Sequence, residues 1–192
     1  LTDASHELRT PLNAVIGLGE IEAAAATGVS RQRLRTVVTS ARDLGILAQR
    51  LAKRLCDCRQ AYSPDGDEIK TFVAEYAEDL RHTQAWKADY AGEAKKLYES
   101  WVKLYGDGGK LNFYRPVGCD KCGKTGYKGR IGLHELLIAD EDIKKLIQER
   151  ARVADLFVCA VASGMRTLKM DGMEKIMMGL TDLKQVRSVC IK

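Results

Sequence analysis

VGCDKCGKTGYKGRIGLHELLI, residues 117–138, is the stretch that organises the rest of the chain. Cys119 and Cys122 sit two residues apart between Gly118 and Gly123. A C-x-x-C turn brings both sulfurs to one side of a tight loop, and flanking glycines permit the backbone this requires. A second pair, Cys56-Asp57-Cys58, stands about 60 residues upstream. Its C-x-C spacing is tighter and less usual for a metal knuckle. Four thiolates suit tetrahedral Zn²⁺, which has no ligand-field preference to oppose that geometry. Such a site would staple a long excursion of chain and contribute folding energy outright. Six cysteines in 192 residues are too few for a secreted disulfide framework. No thioredoxin-like βαβ pattern surrounds Cys119 and Cys122, which speaks against a redox pair. Cys159 and Cys190 fall on apolar helix faces and read as core residues.

The same stretch contains Gly118, four residues, then Gly123-Lys124-Thr125, matching the phosphate-loop expression G-x-x-x-x-G-K-[ST]. A working phosphate loop runs from a strand into a helix N-terminus. Here Gly126-Tyr127-Lys128-Gly129 follows, which starts a helix poorly, and two of the free positions are the cysteines. The match reads as coincidence.

Outward from the loop, residues 112–117 and 130–138 read as strands, and 67–81 and 89–105 as polar amphipathic helices. After Asp140 the pattern is helical at about 140–150, 153–163, 167–178 and 182–190, with Gly164 and Gly179 as breaks and Thr181-Asp182 as a cap. Residues 1–27 read as a helix kinked at Pro11. Residues 31–55 carry Leu34, Val37, Ala41, Leu44, Ala48, Leu51 and Leu55 at alternating spacings of three and four, a coiled-coil seam. The fold expected is mainly α with a small β/zinc element. It opens with an N-terminal antiparallel helical hairpin (residues 1–55) that pairs with a second copy into a four-helix bundle. A tetracysteine module with a helical insert (56–138) and a C-terminal helical subdomain (139–192) follow.

Composition narrows the function. Hydrophobic residues make up 45% and charged residues 30%, ordinary for a globular chain. No apolar run approaches the roughly 20 residues a membrane helix needs. The net charge is +5, aromatics are 6%, and none cluster by the cysteines, so no nucleic-acid partner is expected. The basic face of 31–54 reads as a solvated bundle surface. The chain opens at Leu1 rather than methionine and reads as a piece of a longer protein.

Two resemblances follow. YRPVGCDKCGKTGYKGRIGLHELLIAD (114–140), SGMRTLKMDGMEKIMMGLTDLKQVRSVCIK (163–192) and LGILAQRLAKRLCDC (44–58) together resemble the C-terminal part of type II secretion and type IV pilus assembly ATPases. The resemblance implies that Cys56, Cys58, Cys119 and Cys122 are zinc ligands. It implies partners in the ATPase ring or an inner-membrane platform protein, and a cytoplasmic position peripheral to the inner membrane. No true Walker A, Walker B, aspartate box or histidine box stands in the 192 residues, so this stretch is not expected to hydrolyse ATP. SHELRTPLNAVIG (5–17) is similar to the H-box of sensor histidine kinases. This second resemblance implies His6 as a phosphoacceptor whose imidazole nitrogen attacks a γ-phosphate. Glu7 would orient or deprotonate the ring, and Thr10 would position a water for dephosphorylation. Residues 31–43 are loosely similar to the second helix of the kinase hairpin, and a response-regulator receiver domain becomes a possible partner.

Overall fold

The computed structural model describes residues 45–190, and its longest β elements are two strands of 11 and 12 residues. β1 (Gly45–Leu55) and β4 (Tyr127–Ile138) pair in one two-stranded sheet. The pairing is antiparallel, since Gly45 lies against Leu137 while Gln49 reaches His134. β2 (Gln60–Tyr62) and β3 (Phe113–Arg115) form the second, antiparallel sheet, with Tyr62 opposite Phe113. Besides a 3₁₀ turn at Asp120–Cys122, the described residues hold seven α-helices: α1 (Gly66–Ala77), α2 (Gln84–Ala88), α3 (Tyr90–Tyr105), α4 (Glu141–Gln148), α5 (Val153–Ala162), α6 (Leu168–Met177) and α7 (Leu183–Cys190).

This corrects the expected fold. About a fifth of the described residues are in strands, arranged in two sheets rather than one small β element. Residues 45–55, expected as the second half of a hairpin helix, are β1. Burial alternates there: Ile46, Ala48 and Ala52 face inward, while Leu47 and Leu51 are 62% and 53% exposed. A period of two wins over the seam of threes and fours because β1 has a strand partner more than 70 residues away. The strand removes Ala48, Leu51 and Leu55 from any coiled-coil seam, and with them the continuous helix through Leu44. The remaining parts of the expected hairpin and dimer lie outside the described residues, as do His6, Glu7 and Thr10.

The described chain falls into two compact units, residues 45–47 with 136–165 and residues 48–135 with 166–190. In the first, α4 and α5 close over Leu137, Ile143, Leu156 and Ala160, with Ile46 and Cys159 packed against them. Asp140 caps α4 by accepting from the Ile143 amide at 2.9 Å, which holds its carboxyl below the usual range.

The second unit has an aromatic centre. Phe72 and Tyr76, one turn apart on α1, meet Trp101 of α3 at 5.6 and 4.9 Å between ring centroids. Phe72 also meets Phe113 of β3 at 4.6 Å. Edge and tilted contacts of this kind each add about 0.5–1.5 kcal/mol beyond the area they bury. Helix α1 also joins α6 and α7 by charge. Arg187 makes two bonds to Glu75 (3.1 and 2.7 Å), and Lys169 reaches Glu78 at 2.6 Å, which lowers the Glu78 carboxyl. Glu174 of α6 accepts from Tyr76 at 2.9 Å and pairs with Arg166 at 2.5 Å. Desolvation and the Glu174 charge raise the Tyr76 hydroxyl well above the usual tyrosine range. A second cluster joins Ala52 of β1, Leu133 of β4 and Leu168 of α6.

Candidate metal centre

Both cysteine pairs sit where a strand end or glycine loop forces the chain to turn. β1 ends at Leu55, whose amide donates to Leu180 O at 2.9 Å, and the next amide, Cys56, donates to Gly126 O at 2.9 Å. The chain then reverses at once, the Arg59 amide donating to Cys56 O at 2.9 Å. A C-x-C pair therefore occupies the turn itself, with Cys56 buried and Cys58 half-buried.

The second pair lies on a single 3₁₀ turn, Asp120–Cys122, closed by amides of Cys122 and Lys124 that both donate to Cys119 O. Gly118 enters this turn at φ +103, where a Cβ would stand 2.5 Å from Lys124 O. Gly126 leaves it at φ +79, against Pro116. At both positions the left-handed backbone and the close approach admit only glycine.

These turns bring the four sulfurs within 4.8 Å of one another. Cys56 and Cys119 are 3.9 Å apart, Cys58 and Cys122 4.0 Å, and Cys119 and Cys122 3.8 Å. Zinc–thiolate bonds of roughly 2.3 Å at tetrahedral angles require sulfur separations of about 3.8 Å. The donor set fits a tetrahedral thiophilic cation in number, type and spacing. The four cysteines are free thiols rather than disulfides.

The backbone also fits a thiolate. The Cys122 sulfur accepts from the Cys119 amide at 3.1 Å and the Gly126 amide at 3.3 Å. These amides lower the Cys122 thiol to about 6. Desolvation and the neighbouring thiols push Cys58 up to about 11. One sulfur is prepared as an anion, and a bound cation would draw the proton from the others.

Not every part of this arrangement was visible in the cysteine spacing. Thr125 ties the loop by bonding to Cys122 O at 2.7 Å, and Tyr127 donates to Asp182 at 2.5 Å, which pushes the tyrosine up to about 12 through desolvation and that carboxylate. The Gly-Lys-Thr run is followed by strand β4 and not by a helix, so it lacks the dipole of a phosphate loop. His134 is half-exposed beside Gln49, while Glu135 is buried and accepts from the Leu168 amide at 3.1 Å. Cys159 packs against the first unit's core, and Cys190 is raised to about 11 by burial.

Residues 20–188 match the family described as type II/IV secretion system protein. That match takes in residues 31–43, read above as similar to a kinase helix. The type IV pilus assembly ATPase PilB of Thermus thermophilus is 32% identical over 148 residues, 77% of this chain and 13% of that protein. The type II secretion system ATPase E of Vibrio cholerae is 32% identical over 149 residues, 76% of this chain and 23% of that protein. The type II secretion system protein HxcR of Pseudomonas aeruginosa is 41% identical over 83 residues, 43% of this chain and 17% of that protein. The chain thus spans less than a quarter of the length of each of these relatives. It belongs to the type II/IV secretion system protein family.

Proposed function

We propose that this chain is the zinc-bearing part of a motor ATPase for type II secretion or type IV pilus assembly. The observation that carries the zinc reading is the spacing of the four sulfurs, 3.8–4.0 Å in the three closest pairs. The motor reading is supported by the relatives, which are named as pilus assembly and secretion ATPases. In this reading the metal holds the end of β1 to the loop before β4, and nucleotide is handled by other parts of the assembled protein. The module works by binding, against an ATPase ring or an inner-membrane platform protein, from the cytoplasmic side. No described helix is long and apolar enough to cross a membrane.

The test is metal content on protein purified without added metal, followed by cobalt exchange. The expected result is one zinc per chain, with cobalt giving the strong thiolate charge-transfer absorption of a four-sulfur site. Cys119→Ser and Cys58→Ser should each lose the metal and the cooperative unfolding transition. A metal-free chain whose stability is unchanged by both substitutions would sink the zinc reading.

A second reading rests on residues 5–17 alone, where SHELRTPLNAVIG is similar to a kinase H-box. In it His6 takes a phosphoryl group in trans, from a separate kinase or a phosphorylated receiver domain, with Glu7 and Thr10 in supporting roles. Incubation with a phosphorylated receiver should then leave acid-labile phosphate on the chain. Equal labelling of His6→Gln would remove the proposal.

A further inference from the structure

Lys53 near the end of β1 and Arg130 on β4 line a surface groove of about 320 Å³ together with Thr125, Tyr127 and Gly129. The groove has an uneven charge balance. Some cations of the same unit are paired, among them Arg166 with Glu174, Lys169 with Glu78, Lys175 with Asp171 and Arg187 with Glu75. Among the described residues neither Lys53 nor Arg130 has a carboxylate partner. Lys53 instead stands 5.8 Å from the centroid of the Tyr127 ring. Asp182, the carboxylate tied to this groove through the Tyr127 hydroxyl, is buried and also accepts from the Gln185 amide at 2.9 Å. The Thr125 hydroxyl is occupied by Cys122 O and Tyr127 O. What the groove offers a ligand is two uncompensated cations beside an aromatic ring.

We propose that this groove binds a small phosphate-bearing molecule, with its phosphoryl oxygens between Lys53 and Arg130. A guanidinium fork and an ammonium together match the charge and the spread of oxygens on a phosphate better than a single carboxylate. The volume is near the lower end of ligand pockets, roughly 300 Å³, which fits one phosphoryl group with a modest organic substituent. The Tyr127 ring supplies a flat surface for that substituent. Both cations are exposed, so binding is weak and falls with ionic strength. The recognised chemistry is the phosphoryl group, whether free or carried by a nucleotide.

The test is an amide chemical-shift titration of the zinc-loaded chain with inorganic phosphate and, separately, with adenosine monophosphate, at low salt. Saturable shifts centred on residues 125–130, weakened at least fivefold in Arg130→Gln and in Lys53→Gln, are expected. Equal affinity for both probes would assign recognition to the phosphoryl group alone. Tighter binding of the nucleotide, with the Tyr127 ring resonances moving, would add the aromatic face. Either result supports the groove. Metal content and circular dichroism check that the variants fold, and the wild-type titration repeated in rising sodium chloride gives an independent reading of charge. Shifts that do not saturate, that ignore salt, or that persist in both variants would overturn it.

Discussion

Gly118 shows how much of the candidate metal centre rests on single backbone positions. It must hold φ +103, and a Cβ there would meet Lys124 O at 2.5 Å. Gly123, five residues on, also has positive φ, but nothing lies within 4 Å of the Cβ it would carry. Strain of the first kind costs of order 1–3 kcal/mol, whereas a lone left-handed residue in open space costs roughly 1–2. Gly118→Ala is therefore expected to lower stability in urea unfolding by more than Gly123→Ala, and to weaken binding of the proposed zinc with it. Equal losses at the two positions would show that the contact with Lys124 is relieved at no cost. The same scale explains why the C-x-C pair is tolerated. Asp57 projects into solvent at the turn, so Cys56 and Cys58 face the second pair from either side of one reversal.

At the scale of elements, the polar helices after β2 are held to the C-terminal helices by side chains far apart in sequence. Glu75 of α1 and Arg187 of α7 are 112 residues apart and share a two-bond contact. Glu75 is largely covered, but Arg187 is 44% exposed, so solvent screening limits the pair to about 0.5–1 kcal/mol. A double-mutant cycle with Glu75→Gln and Arg187→Gln should return a coupling of that size that shrinks with added salt. No coupling at low salt would mean that the aromatic packing of Phe72 and Tyr76 holds α1 unaided. The element scale is also where a pattern misleads. Leu44, Ala48, Leu51 and Leu55 satisfy a heptad, yet from Gly45 the chain forms a strand whose inward residues are Ile46, Ala48 and Ala52. Local spacing cannot register the hydrogen bonds that β4 offers from across the chain.

For the molecule as a whole, the sequence alone determined what depends on neighbours in the chain. Of the helices after Asp140, α4, α6 and α7 were legible because each has its own side-chain cap, and α5 because of its apolar run. Asp140 before α4, Thr167 before α6 and Asp182 before α7 all accept from the first-turn amides. The four cysteines were legible because thiols in close pairs have few other uses in such a chain, and the turns bring their sulfurs within 4.8 Å. Tertiary structure alone decided that residues 45–55 are a strand, that α1 meets α6 and α7 through ion pairs, and that Lys53 and Arg130 line one groove. The reason is the range of the forces. Caps and knuckle turns act over three or four residues, whereas strand pairing and charge complementarity join segments about 70 to 110 residues apart, whose meeting is set only when the chain has folded.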